Sequence, residues 1–324
     1  MNRNSSIALA AAAIALVCAP ALASAQGFPE KAITFVVPFA AGTATDQIAR
    51  AIGNGVTAET KQAVVIDNKA GANGFIASQN VARAAADGYT VLITTNTTHA
   101  ANEHLFKKLP YDPVKDYAPV TALGKGGQIM VVNNDFPAKT VAEFVALAKK
   151  EPGKYSFGSG SSSSRMAGEL LQQMAGIKLL HVPYKSNTLA VTDLLGNQIN
   201  MMITDTATGL PQVKAGKLRA LGMSSASRSP LAPDVPTIAE SGVKGYEMGY
   251  WFAAYAPAGT PPAVVKRLNE LLVKAAKSDA ARTAFYEPTG TELFTTSPEE
   301  LAKFQVGESQ KWGRIVKSAG IEAE

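Results

Sequence analysis

The chain is 324 residues long, with a formal net charge of +5, 46% hydrophobic residues and a single cysteine, Cys18. One cysteine excludes a disulfide scaffold and a Cys–His metal site. The basic residues are scattered, densest at Lys107-Lys108 and Lys149-Lys150, and form no nucleic-acid track.

Residues 1–25 read as a secretory leader. Arg3 gives a basic start, residues 7–17 are apolar, and Ala23-Ser24-Ala25 is a cleavage signature before Gln26. The apolar run is short of the roughly 20 residues that span a bilayer, and no later stretch approaches that length. Val17 precedes Cys18 where a lipid-anchor signal wants a small residue, so Cys18 reads as part of the leader. Cleavage removes Arg3 and leaves a charge of +4, since 5 − 1 = 4. The product is an exported chain stabilised by an apolar core. A chain of about 300 residues buries roughly 75% of its unfolded surface and usually divides into two domains.

The predicted elements then alternate between strand and helix almost to the end, which gives an α/β protein with largely parallel sheets. Ile33–Val37 is a β-branched strand closed by Pro38, and Thr45-Asp46 opens a helix with Asp46 four residues before Arg50. Between them lie Phe39, Ala40, Ala41, Gly42 and Thr43. Strand, tight loop and helix start present unpaired N–H groups to an anion; an ordinary connection capped by Thr or Asp reads the same way locally. A short strand at 64–67, an alanine-rich helix at 75–86 and a strand at 90–95 follow. Asn96, Thr97, Thr98 and His99 make a polar loop at the end of that strand. Tyr111-Asp112-Pro113 and Tyr117-Ala118-Pro119 predict an irregular, proline-punctuated passage.

A second alternating block starts near Gln128, with a strand at 129–133, a helix at 141–150 and a strand at 155–158. Ser159, Gly160, Ser161, Ser162, Ser163 and Ser164 come next, then Arg165 and a helix over 166–174. Strands at 179–184, 199–204 (ending at Asp205) and 218–223 surround a helix at 189–195. An aromatic strand over 248–256 leads to a helix from Pro261-Pro262 with Val264, Val265, Leu268, Leu271, Leu272 and Ala275 on one face. Pro298 starts the last helix. Two blocks with loops at strand C-termini predict two lobes facing a cleft: residues 26–126 plus 250–324, and residues 127–249.

The candidate chemistry has a plain alternative at each point. The serine run offers hydroxyls and helix-start amides, or is a polar loop with one capping serine. Gly158-Ser159-Gly160 puts glycine where a hydrolase elbow needs serine, and no spacing pairs a serine with His99, His104 or His181. On a helix, His99 and His104 stand roughly 140° apart and cannot share an ion. His99, after a strand, is a candidate for the cleft, while His181, alternating with Val182, reads as structural. Gly124-Lys125-Gly126-Gly127 lacks phosphate-loop spacing, so no nucleotide cofactor is expected. Asp205 either accepts from a ligand or caps the next helix, and Tyr250, Trp251 and Phe252 line the cleft or fill the core.

In their order, eight motifs resemble the Bug-type extracytoplasmic solute receptors, the periplasmic components of tripartite tricarboxylate transporters. They are VPFAAGTATD at 37–46, DNKAGANG at 67–74, ADGYT at 86–90, YDPVKD at 111–116, HVPYK at 181–185, DLLGNQ at 193–198, PDVPT at 233–237 and APAGTP at 256–261. The resemblance spans the whole mature chain. It implies a two-lobed periplasmic binding protein fold, type II-like, that closes over a small carboxylate and delivers it to membrane subunits, as a monomer without cofactor, metal or nucleic acid. By position it assigns the carboxylate loop to Phe39 through Asp46, and the other cleft loops to Asn96–His99 and Ser159–Ser164. This sequence departs from the family at Thr43, where a second glycine is usual, at Arg165 in place of histidine and at Ser186 in place of glycine. An exported serine hydrolase and a ligand sensor for signalling are the alternatives.

Overall fold

The computed structural model describes residues 27–318 and 320–323, so the predicted leader and its cleavage site lie outside the described residues. In chain order, β1 (Ile33–Val37) leads to α1 (Ala44–Thr60), β2 (Val64–Asn68) to α2 (Phe75–Ala82), and β3 (Thr90–Thr95) to a π-helical turn, Thr97–Ala101, and α3 (Asn102–Leu105). The long β4 (Tyr117–Asn133) precedes α4 (Val141–Lys150), β5 (Ser156–Ser159), α5 (Ser162–Ala175), β6 (Leu180–Pro183), α6 (Asn187–Leu195), β7 (Met201–Asp205), α7 (Thr206–Lys214) and β8 (Leu218–Met223). The chain returns through β9 (Gly249–Pro257) and ends with α8 (Pro262–Ala276) and α9 (Pro298–Ser318).

The strands form one nine-stranded sheet in the order β2-β1-β3-β9-β4-β7-β5-β6, with β8 also on β4. Its flanks are parallel, β1 with β2 and β3, and β5 with β6 and β7. The middle corrects the expectation of largely parallel sheets. β4 and β9 run antiparallel to each other and to every other strand they pair with, because one carries the chain out of the first lobe and the other brings it back.

β4 is where sequence and structure differ most. The passage around Tyr117-Ala118-Pro119, predicted irregular, is the start of this strand. Pro119 fits because, among the described residues, β9 is its only strand neighbour there and the register shifts between Pro119 and Thr121. Residues 117–127 pair with β9, and residues 128–133 pair with β7 and β8. The crossing point is the glycine run: a Cβ on Gly126 would sit 2.6 Å from Tyr250 Oη, and one on Gly127 2.7 Å from Ser225 Cβ. Ser224 staples the two crossing strands. Its hydroxyl accepts from Gln128 N at 2.6 Å and donates to Met248 O at 2.6 Å.

The predicted face of α8 is buried from Val264 to Ala275 and packs with Ile48 and Ile52 of α1. Fully burying a Leu such as Leu268 contributes roughly 1.5–3 kcal/mol. α2 stops at Ala82, four residues short of the predicted end. Its Ala84 amide turns back to Val81 O, and residues 83–87 alternate between exposed and half-buried with no continuous face to bury.

Candidate functional site

α1, α5, α6 and α7 each begin just beyond the C-terminal end of a parallel strand, β1, β5, β6 and β7. The first amides of such helices have no intrahelical acceptor and point where an anion is favoured.

In the first lobe, the loop from Phe39 to Thr43 is fixed from behind. Gly42 takes a left-handed φ of 81°, and its N–H donates to Asp46 Oδ2 at 2.9 Å. Asn68 donates to Phe39 O and to Asp46 Oδ1, both at 3.0 Å. Arg50 closes the set with a 2.9 Å ion pair to Asp46. Burial alone would raise the Asp46 pKa; the hydrogen bonds from Arg50, Gly42 and Asn68, with the Arg50 charge, outweigh it and hold the carboxyl below its ordinary range. Thr43 turns its hydroxyl to Ala40 O at 2.7 Å, and no side chain of the described residues caps the start of α1. The amides of Ala44, Thr45 and Asp46 make no hydrogen bond among those of the described residues.

In the second lobe, the serine run is the opening of α5. Ser161 caps it, accepting from Ser164 N at 3.2 Å, and Ser164 Oγ donates to Ile203 O. Gly160 is obligatory: a Cβ there would lie 1.9 Å from the carbonyl carbon of Ser186. Its N–H donates to Asn187 Oδ1 at 2.9 Å, Asn187 donates to Asp205 Oδ2 at 3.1 Å, and Asp205 Oδ1 caps α7 through Thr208 N at 2.8 Å. Ser186 caps α6.

Two adjoining cavities of about 260 and about 30 Å³ lie between these walls, both bounded by Phe39, Gly160 and Ser161. The larger is lined by Asn73 and Gly74 from the first lobe and by Ser159, Arg165, His181 and Lys185 from the second. The smaller is lined by Thr43, Ala44 and Thr45 at the start of α1, facing Gln128, Ser163 and Asp205. Arg165 Nε lies 3.9 Å from Glu169. Burial pushes the Glu169 carboxyl up, partly offset by Arg165 and Gln172.

The structure thus brings Phe39, Thr43, Thr45, Ser159, Ser161, Ser163, Arg165 and Asp205 to the cavities. Ala40, Gly42, Asp46, Ser162 and Ser164 do not line them; they hold the loop and helix starts in place. Asn96, Thr97, Thr98 and His99 do not line them either. Asn96 opens, and Thr97, Thr98 and His99 begin, a buried π-helical turn rather than an open loop, because the turn shares a core with β9 and α9. His99 stacks on Tyr255 with ring centroids 4.0 Å apart and bonds Thr98 Oγ1 at 2.8 Å. Burial lowers its pKa to about 3.

Sequence reasoning missed Thr95, Gln128, Asn187, Lys185 and His181. His181 corrects a structural assignment: it lines the larger cavity, 2.8 Å from Ser159 Oγ through Nε2. It stands within β6, and the pairing of β6 with β5 that brings it to the cavity is not signalled within its own segment. Buried Gln128 Oε1 has no hydrogen-bond partner among the described residues. No group of three or more His, Cys, Asp or Glu side chains among them is arranged to hold a metal.

The sequence profile described as tripartite tricarboxylate transporter family receptor matches residues 48–321. Rpa4515 of R. palustris, solved with adipate, is 33% identical, with a TM-score of 0.88 over 92% of this chain and 100% of its own. The periplasmic binding protein BugD is 32% identical, with a TM-score of 0.87 over 92% and 100%. MatC of Rhodopseudomonas palustris, solved with malate, is 31% identical, with a TM-score of 0.84 over 89% and 100%. With its two-lobed architecture and interlobe cavities, the chain belongs to the receptors of the tripartite tricarboxylate transporter family, periplasmic solute-binding proteins.

Proposed function

We propose that this receptor is non-enzymatic and binds one small organic carboxylate, which it hands to the membrane subunits of its transporter by transient contact. It acts as a monomer, exported with cleavage before Gln26. Residues 26–126 and 250–324 form one lobe and residues 127–249 the other. The amides of Ala44 and Thr45 hold one carboxylate in the smaller cavity, and the serine helix start with Arg165 holds the other end.

The observation that carries this reading is the free, uncapped start of α1 facing a cavity whose opposite wall belongs to the other lobe. Such a ligand favours the closed state because it gains contacts from both sides. Aimed backbone donors need little reorganisation to do so. The adipate and malate of the related structures support the ligand class. Native mass spectrometry of freshly purified protein tests it: a retained organic acid is expected, and a retained base or neutral sugar contradicts it.

The Ser159–His181 pair favours a second reading, a serine hydrolase. Against it, Ser159 ends a strand instead of occupying a strand-to-helix elbow.

A further inference from the structure

Tyr250 is the second residue of β9, where the chain returns to the first lobe, and it pairs with Gly126 of β4. Its ring lies across the bare backbone of that glycine: a Cβ on Gly126 would sit 2.6 Å from Oη and 2.7 Å from Cζ. Laid over in this way, the side chain lines the smaller cavity. Its Oη ends 3.0 Å from Thr206 Oγ1 of the second lobe and 3.0 Å from Thr291 Oγ1 of the first. All three side chains are buried.

A phenol donates one hydrogen bond and accepts another, so it serves both threonines whichever way the protons run. Burial pushes the Tyr250 pKa up to about 12, partly offset by the bonds to Thr206 and Thr291, so the hydroxyl keeps its proton. Each threonine is anchored in its own lobe. Thr206 is the first residue of α7, next to Asp205, which caps that helix and accepts from Asn187 beside the cleft. Thr291 Oγ1 lies 2.8 Å from Thr289 Oγ1, which bonds Phe285 O at 2.7 Å, and Phe285 belongs to the core shared by α1 and α8. The bridge thus joins the cleft wall of one lobe to the packed interior of the other.

We propose that Tyr250 is the positioning residue of lobe closure: its hydroxyl fixes the angle at which the α7 wall meets the α1 wall around the ligand. The inference rests on the receptor reading above. It makes two separable demands. Both hydrogen bonds of the hydroxyl go to the threonines, so removing it weakens every carboxylate by one common factor. The bridge holds a state formed after encounter, so the change falls on dissociation and spares association.

Calorimetry over a panel of carboxylates headed by succinate, malate and adipate tests the first demand. Stopped-flow fluorescence tests the second, with Trp251 beside Tyr250 as the reporter. Tyr250→Phe, which keeps the ring, is expected to weaken each acid that the wild type binds by the same factor, about five- to tenfold, the scale of one net hydrogen bond. Dissociation should quicken by that factor, with association within about twofold of wild type. Thr206→Val should reproduce the loss, and the double variant should lose no more than either single one, since both remove the same bond. Unchanged affinity in Tyr250→Phe, a loss that falls on association, factors that differ between acids by more than about threefold, or losses that multiply in the double variant overturn the inference alone. Should Thr206→Val not fold, the affinities and rates of Tyr250→Phe decide by themselves. No binding of any acid of the panel by the wild type overturns the receptor reading with it.

Discussion

Ser162 of the second lobe donates a 2.8 Å hydrogen bond to Asn102 Oδ1 of the first. The amide of Asn102 also donates to Asn73 O at 2.9 Å, and Asn73 lines the larger cavity. Both Asn102 and Ser162 are buried, so closure and the shape of the cavity wall are tied through one side chain. Under the proposed closure, removing the Ser162 hydroxyl leaves Asn102 Oδ1 without this partner. Ser162→Ala should therefore cost about 1–3 kcal/mol of closure and weaken ligand binding roughly fivefold or more, as read by calorimetry. Unchanged affinity would mean the bond does not report closure.

Two glycines of the site should respond in opposite ways. Gly42 has open space around it but a left-handed φ, so Gly42→Val strains the loop and should weaken binding without unfolding the protein. Gly160 has no space at all. Gly160→Ala must push α6 from β5 and should destabilise the fold by about 1–3 kcal/mol or more in denaturant titration.

Acid should destabilise the fold through His99. Its folded pKa of about 3 lies below its unfolded value, so the unfolded state binds the extra proton. Stability is fully present above about pH 6.5 and is lost as pH falls toward the folded value, by at most about 1.4 kcal/mol per pH unit. Asp46, with its depressed pKa, adds a loss only at lower pH, below the ordinary carboxylate range. Thermal melting of His99→Phe between about pH 7.5 and 4.5 should show a shallower acid slope than wild type. An identical slope would contradict the assignment.

A fluorophosphonate probe should not label the protein. Ser159 has a histidine within reach but ends a strand, outside a nucleophile elbow. Labelling lost in Ser159→Ala would establish the hydrolase reading.

Much of this fold is legible locally, because α1, α4 and α8 carry continuous one-sided patterns and proline or threonine starts. The first loop is legible for the same reason. What local pattern misses is set by distant contacts. Pro119 looks like a break until β9 supplies a bulged partner, and the serine run reads either as helix-start amides or as a loop with one capping serine until the helix is seen to start at Ser162, capped by Ser161. His99 and His181 exchange expected roles because burial is decided by which strands become neighbours: β9 brings Tyr255 over His99, and β5 brings Ser159 beside His181. No spacing within either segment carries that information.

A thermal-shift screen over mono-, di- and tricarboxylates, run on wild type and Gly42→Val, tests the central claim most directly. Ligand at about 100 times Kd adds roughly 2.7 kcal/mol of stability, well within detection. At least one carboxylate should raise the wild-type melting temperature, and the same compound should lose most of that shift in Gly42→Val. No shift with any carboxylate, or an equal shift in both proteins, would contradict capture of an anion at the start of α1.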